Sequence, residues 1–114
     1  MADGQPFVLG GIWEVWAGRA EFDEGYTVHT CAVLTTGAND LMAPVHDRMP
    51  VIVAPSSHDL WLAPDFRDCD RIEEVLQPFD PVRMVAYPVS HRVDCIANDG
   101  SDLTEIFPHV PCGA

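Results

Sequence analysis

FVLGGIWEVW, Phe7–Trp16, is an apolar and aromatic run with the composition of a buried strand. The polar, glycine-bounded stretch after it, Ala17–Gly25, predicts a turn. YTVHTCAVLT, Tyr26–Thr35, rich in Thr and Val, predicts a second strand, and the two together predict an antiparallel hairpin. Beyond the hairpin, Asn39, Asp40, Pro44 and Pro50 break regular structure after one expected turn of helix at Ala38–Met42. A short strand is expected at Met49–Ala54. Ser56 three residues before Asp59 resembles a capping box opening a short helix. Asp70 and Glu73 stand in the same relation in DRIEEVLQ, a second short helix stopped by Pro78. RMVAYPV, Arg83–Val89, predicts the last strand. The fold class is therefore α+β, with a mainly antiparallel β-sheet and short helices.

Size and composition bound what such a chain can do. Its 114 residues suit a single domain over 1–114 with a loose tail at 109–114, and 47% hydrophobic residues can form a core. Eighteen acidic residues against six basic ones give a formal net charge of −12, and every basic residue is arginine. Such a surface repels phosphate backbones, so any nucleic-acid contact has to be local, through a few arginines in a cleft. No apolar run is long enough to span a bilayer, and MADGQPF lacks the features of a signal peptide, so a cytoplasmic protein with no membrane contact is expected. Cys31, Cys69, Cys95 and Cys112 are widely spaced with no CxxC pair; reduced thiols, and neither a metal site nor a cofactor, are expected.

Two groups of residues carry potential chemistry. Strand alternation places Glu14 with Ile12 and Trp16, opposite Trp13 and Val15, so the carboxylate stands between two apolar faces. Burial there would favour the protonated form, which suits a Glu for general acid–base work; the pattern alone favours instead a strand-end Glu that simply reaches solvent. In APVHDRMP, Ala43–Pro50, each proline biases its predecessor toward extended geometry, which predicts a stiff extended loop. His46 and Arg48 then project to one side and Asp47 to the other. A His beside an Arg suits proton transfer next to an anion, whereas an Arg paired with one of the many acids and a structural His remains the alternative. Thr35 and Thr36 end a strand and could donate hydroxyls to a ligand. His29 and Cys31 share a strand face but make two ligands at most. Ser90 and His91 are adjacent and form no triad, and Trp61 is expected in the core.

Three strings carry a family resemblance. GGIWEVW resembles the glycine–hydrophobic–aromatic–glutamate motif of the SOS response-associated peptidase (SRAP) family. LTTGANDLMAPVHDRMPVIV is similar to its second motif, a Thr-Thr strand end leading to a His-x-Arg-Met-Pro loop. YPVSHRV followed by NDG resembles its closing motif, and the three span Gly4 to Ile106 in the family's order. The resemblance implies an SRAP-like, partly barrel-like fold whose N-terminal half is missing. It also implies action on abasic sites in single-stranded DNA. In that family a cysteine exposed by loss of the initiator Met closes a thiazolidine on the ring-opened sugar aldehyde, a covalent protein–DNA crosslink, and also serves in autopeptidase processing. By motif match Glu14 falls on the catalytic carboxylate and His46 on the catalytic histidine. Arg48 falls on a phosphate-contacting arginine, and Thr35 on a threonine lining the DNA cleft.

The departures are equally specific. Ala2 follows Met1, so the nucleophile is absent, and Val15 stands where many members place a Trp after the Glu. Three readings follow from the residues and the resemblance. One is an abasic-site processor that needs a separately supplied N-terminal half. Another is a catalytically inactive remnant or binding module. The third, a hydrolase built on Glu14 and His46, lacks an activated nucleophile. An isolated half-domain would also leave apolar faces and strand edges open and would self-associate.

Overall fold

The first apolar run forms two strands, β1 (Val8–Leu9) and β2 (Gly11–Ala17), with Gly10 between them. The computed structural model in which this is seen describes residues 1–17, 27–65 and 67–107. The same interruption recurs twice. Leu34 separates β3 (Thr27–Val33) from β4 (Thr35–Gly37), and Val51 separates β5 (Arg48–Pro50) from β6 (Ile52–Val53). Each interruption is a change of partner: β1 pairs with β6, β2 with β3 and β4 with β5, always antiparallel.

At the junction the three separating residues bond in a ring. Gly10 N–H donates to the Val51 carbonyl (2.8 Å), Val51 N–H to that of Leu34 (2.9 Å), and Leu34 N–H to that of Gly10 (2.9 Å). Three strands thus exchange neighbours with no orphaned polar group at the crossing, where one would be costly. The crossing also needs a glycine. A Cβ on Gly10 would lie 3.1 Å from Val51 Cγ1 and 3.4 Å from Val53 Cγ2.

The core gathers around this junction in two clusters. Met49, Ile52 and Phe79 form one, against which Met42 and Met84 pack. Val51, Val53 and Val75 form the other, lined by Leu34, Leu60, Trp61 and Leu76. Successive side chains of an extended chain point to opposite faces, so Ile52 enters one cluster while Val51 and Val53 enter the other. The segment is therefore buried on both sides. Trp61 joins the core as a half-buried wall.

A 3-10 turn, Pro55–Ser57, leads into α1 (His58–Leu62), and α2 (Cys69–Val75) follows. The capping expectations need correction. Ser57, not Ser56, is the N-cap of α1 and its side chain makes no capping bond. Asp68, not Asp70, caps α2 by accepting from the Arg71 N–H. The α2 helix ends at Val75 with Leu76 as its C-cap, ahead of Pro78, as expected. Ala38–Met42 is not a turn of helix; the chain makes consecutive turns over residues 40–45. Nor is Arg83–Val89 a strand. Pro81–Arg83 is a 3-10 turn capped by Asp80, and the following residues pair with no strand among the described residues. Pro88 cannot donate to a ladder, and an apolar run without a partner edge does not make a strand. The turn expected at Ala17–Gly25 lies outside the described residues except for Ala17, which ends β2, and the tail at 109–114 lies outside them altogether.

The chain divides into two compact units, Met1–Met84 and Val85–Ala114. All the strands and both α-helices belong to the first. In the second, 3-10 turns at His91–Asp94 and Ser101–Thr104 are tied by an Arg92–Asp102 ion pair of 2.7 Å and by Asn98 Nδ2 donating to the Arg92 carbonyl. The architecture is α+β with small antiparallel sheets. No helix among the described residues is long and apolar enough to cross a membrane.

Candidate functional site

Arg48 opens β5 and stands opposite Gly37 of β4, one diagonal step from Thr35. Its guanidinium uses that diagonal. Nε donates to Thr35 Oγ1 (2.9 Å) and one Nη to the Thr35 carbonyl (2.6 Å), although both residues are exposed. The second Nη has no partner among the described residues, so the fork is held by one edge and open at the other. This is the form in which Arg offers paired donors to a phosphate or carboxylate.

His46 lies two residues before it, at the end of a loop that closes on itself. Ala38 N–H donates to the Asp47 carbonyl (3.0 Å), and His46 N–H to that of Met42 (3.0 Å). The expected extended loop is thus only half right: residues 40–45 are turns, and extension begins at Arg48. Hydrogen bonds back to Asn39 and Met42 outweigh the bias set by Pro44. Asp47 does not point away either. Its Oδ1 lies 3.0 Å from His46 Nδ1, which is also 3.0 Å from the Arg48 N–H. With the proton on Nε2, Nδ1 accepts from the Arg48 N–H; a proton on Nδ1 would be shared instead with Asp47 Oδ1 and the Arg48 carbonyl (3.2 Å), so the two contacts are alternatives.

Asn39 went unnoticed in the sequence except as a helix breaker. It is buried, its Nδ2 donates to the Phe79 carbonyl (2.6 Å), and its Oδ1 accepts from the Met42 N–H (3.0 Å). It pins the base of the His46 loop to the core. Its partner lies forty residues away, so no local pattern could have revealed it.

Glu14 sits in the middle of β2, opposite Thr30 of β3, whose Oγ1 donates to the Glu14 carbonyl (3.3 Å). Of the two readings of Glu14, the one that reaches solvent is observed, although in mid-strand: every residue of β2 is exposed, Glu14 included. Its neighbours are apolar but uncovered. Among the described residues no hydrogen bond joins Glu14 to His46 or Arg48, which belong to a different ladder. The structure therefore brings Thr35, His46 and Arg48 into contact and places Glu14 on a separate ladder. His29 stacks on Trp13 (ring centroids 6.4 Å apart, planes 7° apart), and Cys31, Cys69 and Cys95 are free and exposed.

The model of the family described as SOS response associated peptidase (SRAP) matches residues 1–96. The chain belongs to the SRAP family. Relatives agree: it is 38% identical over 99 residues to the abasic site processing protein YoqW of Bacillus subtilis, covering 87% of this chain and 42% of that protein. It is 35% identical over 104 residues to YoaM, an abasic site processing protein of the same bacterium, covering 91% of this chain and 44% of the relative. A crystal structure of a protein from Bacteroides thetaiotaomicron superposes with a TM-score of 0.75 at 25% identity, over 93% of this chain and 46% of that one. The chain thus spans less than half the length of the SRAP-family relatives it matches.

Proposed function

We propose that this chain carries the acid–base and phosphate-binding side of an SRAP-type site for abasic single-stranded DNA, acting in the cytoplasm. A separate N-terminal SRAP half would supply the nucleophilic cysteine. The arrangement that supports this reading is the half-anchored Arg48 fork beside His46, whose Nδ1 lies against Asp47 and the Arg48 backbone. In it, the outer Nη of Arg48 binds a backbone phosphate, and the Thr35 hydroxyl both holds Arg48 and lines the DNA cleft. His46 moves protons in opening the sugar ring and in reversing the crosslink. Glu14 serves the attacking α-amine once the covering half brings the two ladders' side chains to one cleft. The amine adds to the ring-opened aldehyde, water leaves, and the thiol adds to the resulting imine to close the thiazolidine.

The test is reconstitution. The chain is coexpressed with the portion of YoqW outside the aligned stretch and incubated with an abasic single-stranded oligonucleotide. A denaturation-resistant adduct is expected, and His46→Ala or Glu14→Gln should slow its formation by about 10²-fold or more, the scale of acid–base assistance. A copurifying pair that yields no adduct overturns the catalytic reading. The net charge of −12 favours a second reading, an inactive binding module. Its signature is weak, salt-sensitive DNA binding that His46→Ala leaves unchanged.

A further inference from the structure

Beside Arg48 a cleft of about 390 Å³ opens between the β4–β5 ladder and α2. Thr35 and Arg48 stand on the ladder side, Glu73 and Gln77 on the helix side, and Leu34 and Leu76 between them. The cleft contains both signs of charge, yet Glu73 and Arg48 form no ion pair with each other. Arg48 is instead held by Thr35, with one edge of its fork left open. Gln77 is committed as well: its Nε2 donates to the Glu73 carbonyl (3.0 Å), which leaves its Oε1 as a free acceptor.

One wall therefore offers donors, and the other the Glu73 carboxylate and the Gln77 Oε1 as acceptors, with one Gln77 N–H to spare. The two leucines pack against the Val51–Val53–Val75 cluster and form an apolar floor backed by core. The volume lies within the range of small-ligand sites. A phosphate needs the donors, a flat base suits the floor, and the acceptor wall suits an edge rich in N–H groups. Without such a ligand Glu73 is a liability, since a carboxylate in a phosphate cleft repels what Arg48 attracts.

We propose that this cleft is a base-reading subsite, holding a nucleotide with its phosphate on Arg48 and an amino-bearing base edge on Glu73 and Gln77. The proposal rests on the DNA-binding reading above and refines it. Guanine fits best, because its adjacent N1–H and N2 amino group match the two oxygens of one carboxylate. Cytosine and adenine offer an amino group alone. Thymine presents carbonyl oxygens flanking one N–H, so it meets acceptors with acceptors and is disfavoured. A site that reads the Watson–Crick edge requires an unpaired base, in keeping with single-stranded DNA.

The trinucleotides dT-dG-dT and dT-dT-dT, each titrated into the 114-residue chain and followed by amide chemical shifts, test this. The guanine-containing ligand is expected to bind about tenfold tighter, the discrimination of one bidentate contact. Glu73→Gln, at an exposed position, should bring that ratio close to one. Arg48→Ala should weaken both ligands in similar proportion. Equal affinity for the two trinucleotides, with binding still lost in Arg48→Ala, overturns the base-reading subsite and leaves the DNA-binding reading intact. A preference for guanine that survives Glu73→Gln also overturns it. If neither trinucleotide shifts any resonance of the β4–β5 ladder or α2, the subsite and the phosphate role of Arg48 fall together.

Discussion

The strand junction and the β2–β3 hairpin are built from similar apolar residues, and water treats them oppositely. At the junction Met49 and Val51 are each 1% exposed, and Val53 is 2% exposed. On the hairpin Trp13 is 73% exposed, Ile12 55% and Trp16 52%. Both segments satisfy their backbones by antiparallel pairing. The difference is what lies on their faces. The junction has Phe79 on one side and Val75 of α2 on the other. The hairpin, among the described residues, has nothing packed across it as a core. Hydrophobic burial needs a second layer, and a strand pair alone cannot provide one. With Ile12 and Trp16 on one face and Trp13 on the other, both faces of the hairpin carry exposed apolar side chains.

Substitutions at the two regions should therefore behave differently, and the largest effect is expected at the junction. Met49→Ala removes a fully buried side chain and should destabilise the chain by about 2–5 kcal/mol in chemical denaturation. A loss under 1 kcal/mol would mean that the junction is not the stable centre. Gly10→Ala comes next, at about 1–3 kcal/mol, since its new methyl presses on Val51 and Val53. Asn39→Ala removes the side-chain donor to the buried Phe79 carbonyl, while the Met42 N–H keeps the Asn39 backbone carbonyl, and should cost about 1–3 kcal/mol. It should also loosen His46, measurable as faster amide exchange across residues 40–47.

The smallest effect on stability, within about 0.5 kcal/mol, is expected for Trp13→Ser on the exposed hairpin. Its effect on association should be the largest of the set. Sedimentation should show the parent chain self-associating through this face and the variant less so. Equal sedimentation of the two would show that the hairpin face is not what drives association.

The same comparison explains which residues were legible in the sequence. The β2–β3 pairing follows from composition and turn signals, because a hairpin is a local object. So does α2, with its acidic start and its proline stop. The division of each long strand at Gly10, Leu34 and Val51 does not, since it exists only where three distant segments meet. The Thr-Thr strand end and the His-x-Arg loop mark residues that the fold brings together. The bonds that orient them do not show in one dimension: Thr35 with Arg48 spans thirteen positions and Asn39 with Phe79 forty. The sequence left Glu14 between burial and solvent because an alternating apolar strand specifies a face that can be buried, and other elements decide whether it is.

By itself, then, the sequence determined the family, the α+β class, the hairpin and the identities of Glu14, Thr35, His46 and Arg48. Those properties are carried by residue type, spacing and local periodicity, which survive without a fold. Tertiary structure alone decided that Arg48 leans on Thr35, that His46 Nδ1 lies against Asp47 and the Arg48 backbone, and that Glu14 lies exposed on a separate ladder. It also decided which apolar strand is core and which is surface. The physical reason is common to all of these: hydrogen bonding and burial join groups far apart in the chain, and their partners are chosen by packing.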